Sequence, residues 1–169
     1  EHDIPTAEFV LVENAADVIT KASFLPAVNK LGREGYDGRG VQIIADKQDL
    51  AKAFDAPGLL EKLIPFEKEI AVIAARNVSG EVTTFPAVEM VFHPVQNLVE
   101  YLYSPAKLST SVLTNANAIA IKVIEKLNMV GVLAVEMFVT REGDVLVNEI
   151  APRPHNSGHQ TIEANATSQ

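Results

Sequence analysis

VGVLAVEMFVTREGDVLVNEIAPRPHNSGH, Val130 to His159, is the stretch that decides how the rest of the chain is read. It opens with an apolar run, Val130 to Thr140, and closes with NEIAPRPHNSGH, Asn148 to His159. Between them lies a polar turn, REGD, Arg141 to Asp144. Two β-rich runs about a Gly-containing turn predict a hairpin. With Glu142 and Gly143 at its tip, Arg141 faces Asp144, Phe138 faces Val147 and Glu136 faces Glu149. Directly opposed residues share one face of the sheet, with Cβ atoms roughly 4.5–5.5 Å apart.

Two opposed carboxylates destabilise a sheet, and their neighbours Val135, Met137, Val147 and Ile150 are apolar. The pattern asks for a positive group between Glu136 and Glu149. Hard divalent cations take carboxylate oxygens, and Mg2+ takes one or two from protein and the rest from phosphates and water. The alternative is a register shifted by one residue, which sends the two carboxylates to opposite faces. In the following APRPHNSGH, Pro152 and Pro154 fix φ and remove donors, so a loop is expected. That loop gathers Arg153, His155, Asn156 and His159. Arg offers a planar fork for carboxylate or phosphate, and His a proton near neutral pH. The residues together read as a metal–phosphate site with an anion-binding loop beside it.

The totals bound the alternatives. At 169 residues the chain suits one ordinary domain or two small lobes, and 47% hydrophobic with 21% charged is a globular balance. A net charge of -8 and no basic footprint argue against nonspecific nucleic-acid binding. There is no cysteine, which excludes disulfides and thiolate metal sites and is compatible with a cytoplasmic location. No apolar run approaches the ~20 residues of a membrane helix, and no signal-peptide pattern opens the chain. The chain starts without Met and stops at TSQ, and is expected to be a piece of a longer protein.

Working outward, Glu1 to Val12 runs from a Pro5 turn into a strand, and Asn14 caps a helix from Ala15 to Ser23. Pro26–Lys30 and Val41–Ile44 read as hairpin strands. The link between them carries Gly32, Gly35, Gly38 and Gly40, whose open amides suit phosphate, though a ligand-free mobile loop reads equally well. Ala45 to Phe54 is expected as a short helix capped by Asp46, and Leu59 onward as a short strand broken at Pro65. Ile70 to His93 reads as a hairpin turning at Ser79 and Gly80, with His93 structural, and Asn97 to Ala106 as a further strand. Thr110 to Asn128 is the longest helix, with an apolar stripe through Leu113, Ala116, Ala120, Val123 and Leu127.

NEIAPRPHNSGH after VEMF resembles the ATP-grasp enzymes and, among them, the carboxyaminoimidazole ribonucleotide synthetase family of purine biosynthesis. PRPH also resembles the ATP-grasp formyltransferase that uses formate and glycinamide ribonucleotide; the continuation HNSGH is similar to the synthetases. GYDGRG, with Lys30 six residues before Tyr36, resembles the synthetases' lid loop. The resemblance spans nearly the whole chain. It implies an α+β, ATP-grasp fold of two lobes with antiparallel sheets and nucleotide bound between them: a small lid lobe over 1–62 and a large lobe over 63–169, truncated at its C-terminal end.

The same resemblance implies roles. Lys30 contacts the ATP phosphates; Glu61, Lys62 and Ile64 lie at the adenine edge, read by backbone groups; Glu69 takes the ribose hydroxyls. Tyr36, Asp37 and Arg39 cover the second substrate, while Gly32 and Glu34 interrupt the family pattern and leave Arg33 without a role. Glu136 and Glu149 hold Mg2+, or Mn2+ in its place, and Arg153, His155 and Asn156 attend bicarbonate and carboxyphosphate. The implied protein is a cytoplasmic ATP-dependent carbon–nitrogen ligase, a homodimer at full length, acting on bicarbonate and aminoimidazole ribonucleotide. A nucleotide-binding module without turnover would keep Lys30 and Glu69 but has no need of APRPHNSGH.

Overall fold

The β-branched and aliphatic runs of the first third build a four-stranded antiparallel sheet. Its strands are β1 (Phe9–Val12), β2 (Ala27–Leu31), β3 (Val41–Ile44) and β4 (Gly58–Lys62), in the order β1-β4-β2-β3. Alternation sends Val12, Ala27 and Leu60 to one face, where α1 (Ala15–Thr20) adds Val18 and closes a small core. Asn14 caps that helix, its Oδ1 accepting from Asp17 N at 3.0 Å. The expected single helix to Ser23 is instead α1 followed by a 3-10 turn, Ala22–Phe24. Residues 45–54 likewise form a 3-10 turn, Lys47–Lys52, rather than an α-helix. The Asp46 and Asp49 side chains take the amides of Gln48 and Ala45, favouring tight local turns over a regular helix.

The rest of the chain builds a second sheet. Its strands are β5 (Phe66–Arg76), β6 (Val82–Thr84), β7 (Val88–Phe92), β8 (Val99–Tyr103), β9 (Gly131–Thr140) and β10 (Val145–Ala151). The order is β10-β9-β5-β7-β8, with β6 also on β5; these named strands pair antiparallel, and Thr6 adds a parallel bridge to Val147 of β10. One face is covered by α2 (Thr110–Lys126), capped by Ser109, whose Ala116, Ile119, Ala120, Val123 and Ile124 pack on Ile70, Val72, Leu133, Val135 and Met137. After β10 come a 3-10 turn, Asn156–Gly158, and a short α3 (Thr161–Ala164).

The computed structural model describes residues 2–33, 39–92 and 99–169, and Tyr36, Asp37 and His93 lie outside them. The chain divides into two units, Ala7–Pro65 and Phe66–Gln169 with Glu1–Thr6. No helix among the described residues is long and apolar enough to cross a membrane.

Candidate active site

The predicted hairpin forms, but its register is not the simple one. Thr140 N donates to Asp144 O at 2.9 Å and Gly143 N to Thr140 O at 3.0 Å. The loop therefore holds three residues, Arg141 to Gly143, with Gly143 at φ 88, and Arg141 does not face Asp144. Near the turn Leu146 pairs with Phe138 and Val147 with Met137, so the expected Phe138–Val147 pair is displaced by one. Continued unchanged, that register would put Glu149 opposite Val135, on the face that α2 buries. A bulge intervenes: Asn148 is the extra residue, and pairing resumes as Glu149 with Glu136 and Ile150 with Val135. Glu149 thus returns to the face away from α2, opposite Glu136.

That face also carries Glu69. On β5, Glu69 pairs with Phe138 and Ala71 with Glu136, so Glu69 and Glu136 point the same way. The bulged Asn148, expected to alternate away from Glu149, turns to this face as well: its Nδ2 lies 3.4 Å from Glu69 Oε1. Three carboxylates now share a patch of sheet over a floor of Ile73, Ala134 and Ala151. The Glu136 carboxyl is pushed up to about 7 from the ordinary 4.5, by burial first and then by the charges of Glu149 and Glu69, with Arg153 pulling the other way.

The proline loop brings its basic residues to this patch. His155 Nε2 is 3.2 Å from Glu136 Oε1. Burial, and then the charges of Arg153 and His159, hold the imidazole below its usual value. Arg153 is exposed, with one Nη1 donor on Pro154 O at 3.3 Å. Asn156 Oδ1 accepts from Ser157 N at 2.9 Å. Ser157, fully buried, and Gln169 also touch His155, and neither was picked out from the sequence. Ser and Gln carry no charge or special spacing, so their only signal was proximity to the motif.

The donor set fits a hard cation. It is all oxygen from the sheet, with excess negative charge and a carboxyl driven toward protonation when no cation is there. Among the described residues no three His, Asp or Glu side chains converge as a preformed metal cage.

The four-stranded sheet holds the other predicted residues. Lys30 Nζ and Glu61 Oε1 form a 2.9 Å ion pair on the face away from α1. Around it that face exposes Phe9 (50%), Leu11 (68%), Val41 (42%) and Ile43 (51%), a large apolar surface for so small a sheet. Lys62 turns elsewhere: its Nζ donates to Phe24 O at 2.7 Å and sits 4.6 Å from the Phe24 ring centroid. The Lys62 N–H is taken by Glu8 O at 2.8 Å, and the next amide, Leu63 N, by Pro26 O at 3.2 Å. Arg39 lies just ahead of β3.

A two-sheet α+β architecture, an acidic sheet face and a Lys-bearing apolar face together define a class. The ATP-grasp domain family model matches residues 1–169, and the chain belongs to the ATP-grasp family. Within it, the chain is 42% identical over 149 residues to the N5-carboxyaminoimidazole ribonucleotide synthase of Bacillus subtilis, covering 86% of this chain and 39% of that protein. It is similar in structure to an ADP complex of PurK, an N5-carboxyaminoimidazole ribonucleotide synthetase, with a TM-score of 0.90 and 40% identity over 99% of this chain and 45% of that one. It is also similar to the Aspergillus clavatus synthase in complex with ADP and 5-aminoimidazole ribonucleotide, with a TM-score of 0.85 and 30% identity over 98% and 44%. The chain therefore spans less than half the length of these relatives.

Proposed function

We propose that this chain is the ATP-binding part of an N5-carboxyaminoimidazole ribonucleotide synthase. Such an enzyme joins bicarbonate to the amine of aminoimidazole ribonucleotide at the expense of ATP. The observation that carries the reading is the set Glu69, Glu136 and Glu149 on one sheet face beside the Arg153–His155 loop. The relatives' names suggest the substrates, and an acidic sheet face beside a basic loop supports the reading.

Lys30 suits a nucleotide, with its ammonium on phosphate and the adenine edge at the backbone of Glu61, Lys62 and Ile64. Lys30 would exchange Glu61 for phosphate oxygens when nucleotide arrives. Glu69 suits the ribose hydroxyls, which donate to a carboxylate. Glu136 and Glu149 would hold Mg2+, which when bound neutralises phosphate charge and polarises the transferred group. A bicarbonate oxygen attacks the γ-phosphorus, the bond to ADP breaks, and carboxyphosphate forms. Arg153 grips the bicarbonate and then carboxyphosphate through its planar fork. The ribonucleotide amine then takes the carbon, phosphate leaves, and the amine gives up a proton. Arg39, with Tyr36 and Asp37, serves the ribonucleotide. A cytoplasmic homodimer is the matching expectation for the whole protein, and sedimentation tests the dimer.

The test is ADP release by the whole protein with MgATP and bicarbonate, with and without aminoimidazole ribonucleotide. Strong stimulation by the ribonucleotide is expected. Turnover only with formate and glycinamide ribonucleotide would move the assignment to the formyltransferase, and no turnover with either would leave a binding module. In a responding enzyme, Arg39→Ala should raise the ribonucleotide KM more than the ATP KM; equal rises would remove Arg39 from the ribonucleotide site.

A further inference from the structure

The His155 main chain is held by one side chain fourteen residues away. Gln169 Oε1 accepts from His155 N at 2.9 Å, and Gln169 Nε2 donates to His155 O at 2.7 Å. Gln169 is itself tethered, its N donating to Thr161 Oγ1 at 3.0 Å while that hydroxyl donates to Gly158 O at 2.6 Å. Thr161 and Ser157 are fully buried. Gly158 leaves just enough room, since a Cβ there would run into the Gln169 amide.

The ring of His155 is constrained as tightly as its backbone. Ser157 N lies 3.3 Å from Nδ1, and an N–H can only donate, so Nδ1 is an acceptor. The Ser157 hydroxyl, 2.9 Å from Nδ1, then donates there too. A ring that accepts at Nδ1 carries its proton on Nε2, the nitrogen that lies 3.2 Å from Glu136 Oε1. With Nδ1 taken and the proton on Nε2, His155 has no lone pair free to accept a proton from substrate.

We infer that Gln169 and Ser157 are positioning residues, holding His155 as a fixed Nε2–H donor that orients the Glu136 carboxylate for the metal. This rests on reading Glu136 as a ligand of the nucleotide-bound Mg2+. Partners behind a metal ligand typically change affinity or activity 10–100-fold when removed. A fold-only role for Gln169 would instead show as lost stability.

The test compares Gln169→Ala, Gly158→Ala and Ser157→Ala in the whole protein. Gly158→Ala keeps the glutamine but displaces its amide, so it should reproduce Gln169→Ala, and the double variant should be no worse than either single one. Expected for each is a kcat lower by roughly 10–100-fold and a raised Mg2+ requirement, with ATP KM within about twofold and melting temperature close to the parent. Nitrogen-15 NMR of histidine in the metal-free protein should show His155 as the Nε2–H tautomer in the parent and an averaged ring in Gln169→Ala and Ser157→Ala. An unchanged tautomer with unchanged kcat would overturn the inference. So would loss of kcat in step with loss of ATP binding and melting temperature. If the parent fails to use aminoimidazole ribonucleotide at all, the functional reading falls, while the NMR arm still decides whether His155 is held this way.

Discussion

Glu89 and Glu136 sit on opposite faces of the same sheet, both removed from water, and they meet opposite fates. Glu89, on the α2 side, has Lys68 Nζ at 2.9 Å. Burial pushes its carboxyl up, but hydrogen bonds from Tyr103 and Lys68 outweigh that and leave it below the usual range. The hydrogen bond with Glu89, and then burial, push the Tyr103 hydroxyl up to about 12. Glu136, on the other face, has Glu69 and Glu149 for company and rises to about 7. Burial alone does not separate a structural carboxylate from a functional one. The sign of the neighbours does: Glu89 has a lysine in hydrogen-bond contact, whereas Glu136 faces two further carboxylates that Arg153 only partly offsets.

Four experiments press on that contrast. The largest effect is expected from Glu149→Ala in the whole protein, which should lower Mg2+-dependent turnover by about 10³-fold or more with little change in melting temperature. Near-normal turnover would remove the metal role from this face. Next, deleting Asn148 closes the bulge yet leaves Glu149 next after Val147 and still opposite Glu136, while removing the amide beside Glu69. Turnover should drop roughly 10–100-fold, less than in Glu149→Ala. A drop as deep as that of Glu149→Ala would mean the bulge positions Glu149 in a way a regular ladder cannot.

Third, Gln substitutions on the two faces should shift stability in opposite directions in the metal-free protein. The Glu136 pKa is raised on folding, so its stabilising effect is full below about 4.5 and is lost as pH rises through about 7. Glu136→Gln should therefore raise stability at pH 8 by on the order of 2 kcal/mol and give no gain near pH 4. The Glu89 pKa is lowered on folding, so its contribution is present at neutral pH and is lost as acid titrates it. Glu89→Gln should cost about 1–3 kcal/mol at pH 7, and less in acid. Thermal melts at both pH values check the pair, and matching signs at pH 8 would undo the comparison. The smallest effect is Gly143→Ala. A Cβ there meets only Val112 in ordinary contact, so the cost is that of φ 88 alone, about 1 kcal/mol, with turnover unchanged.

The hairpin shows how legible the site was. The sequence pointed to Glu136 opposite Glu149, and they are opposed, but through two irregularities that cancel. The three-residue turn moves the ladder by one, and the bulge at Asn148 moves it back. No residue type announced the bulge: VLVNEI alternates as well without it. The main strands and the long helix were readable because apolar periodicity follows directly from which face is buried; the order of the strands in the sheets was not. The Asp46 cap was readable, but the 3-10 form of Lys47–Lys52 was not, because Asp46 and Asp49 each accept from a nearby backbone amide and favour a tight turn.

By itself, the sequence determined the chemistry available: carboxylates for a cation, Arg and His in a proline-stiffened loop, and Lys30 on a strand. Residue type and spacing carry that information locally. Only the tertiary structure decided that Glu69 joins Glu136 through β5, and that Lys30 rests on Glu61. It also decided that Gln169 and Ser157 close on His155. Those are meetings of distant or uncharged residues, set by strand register and by which groups must find hydrogen bonds once buried.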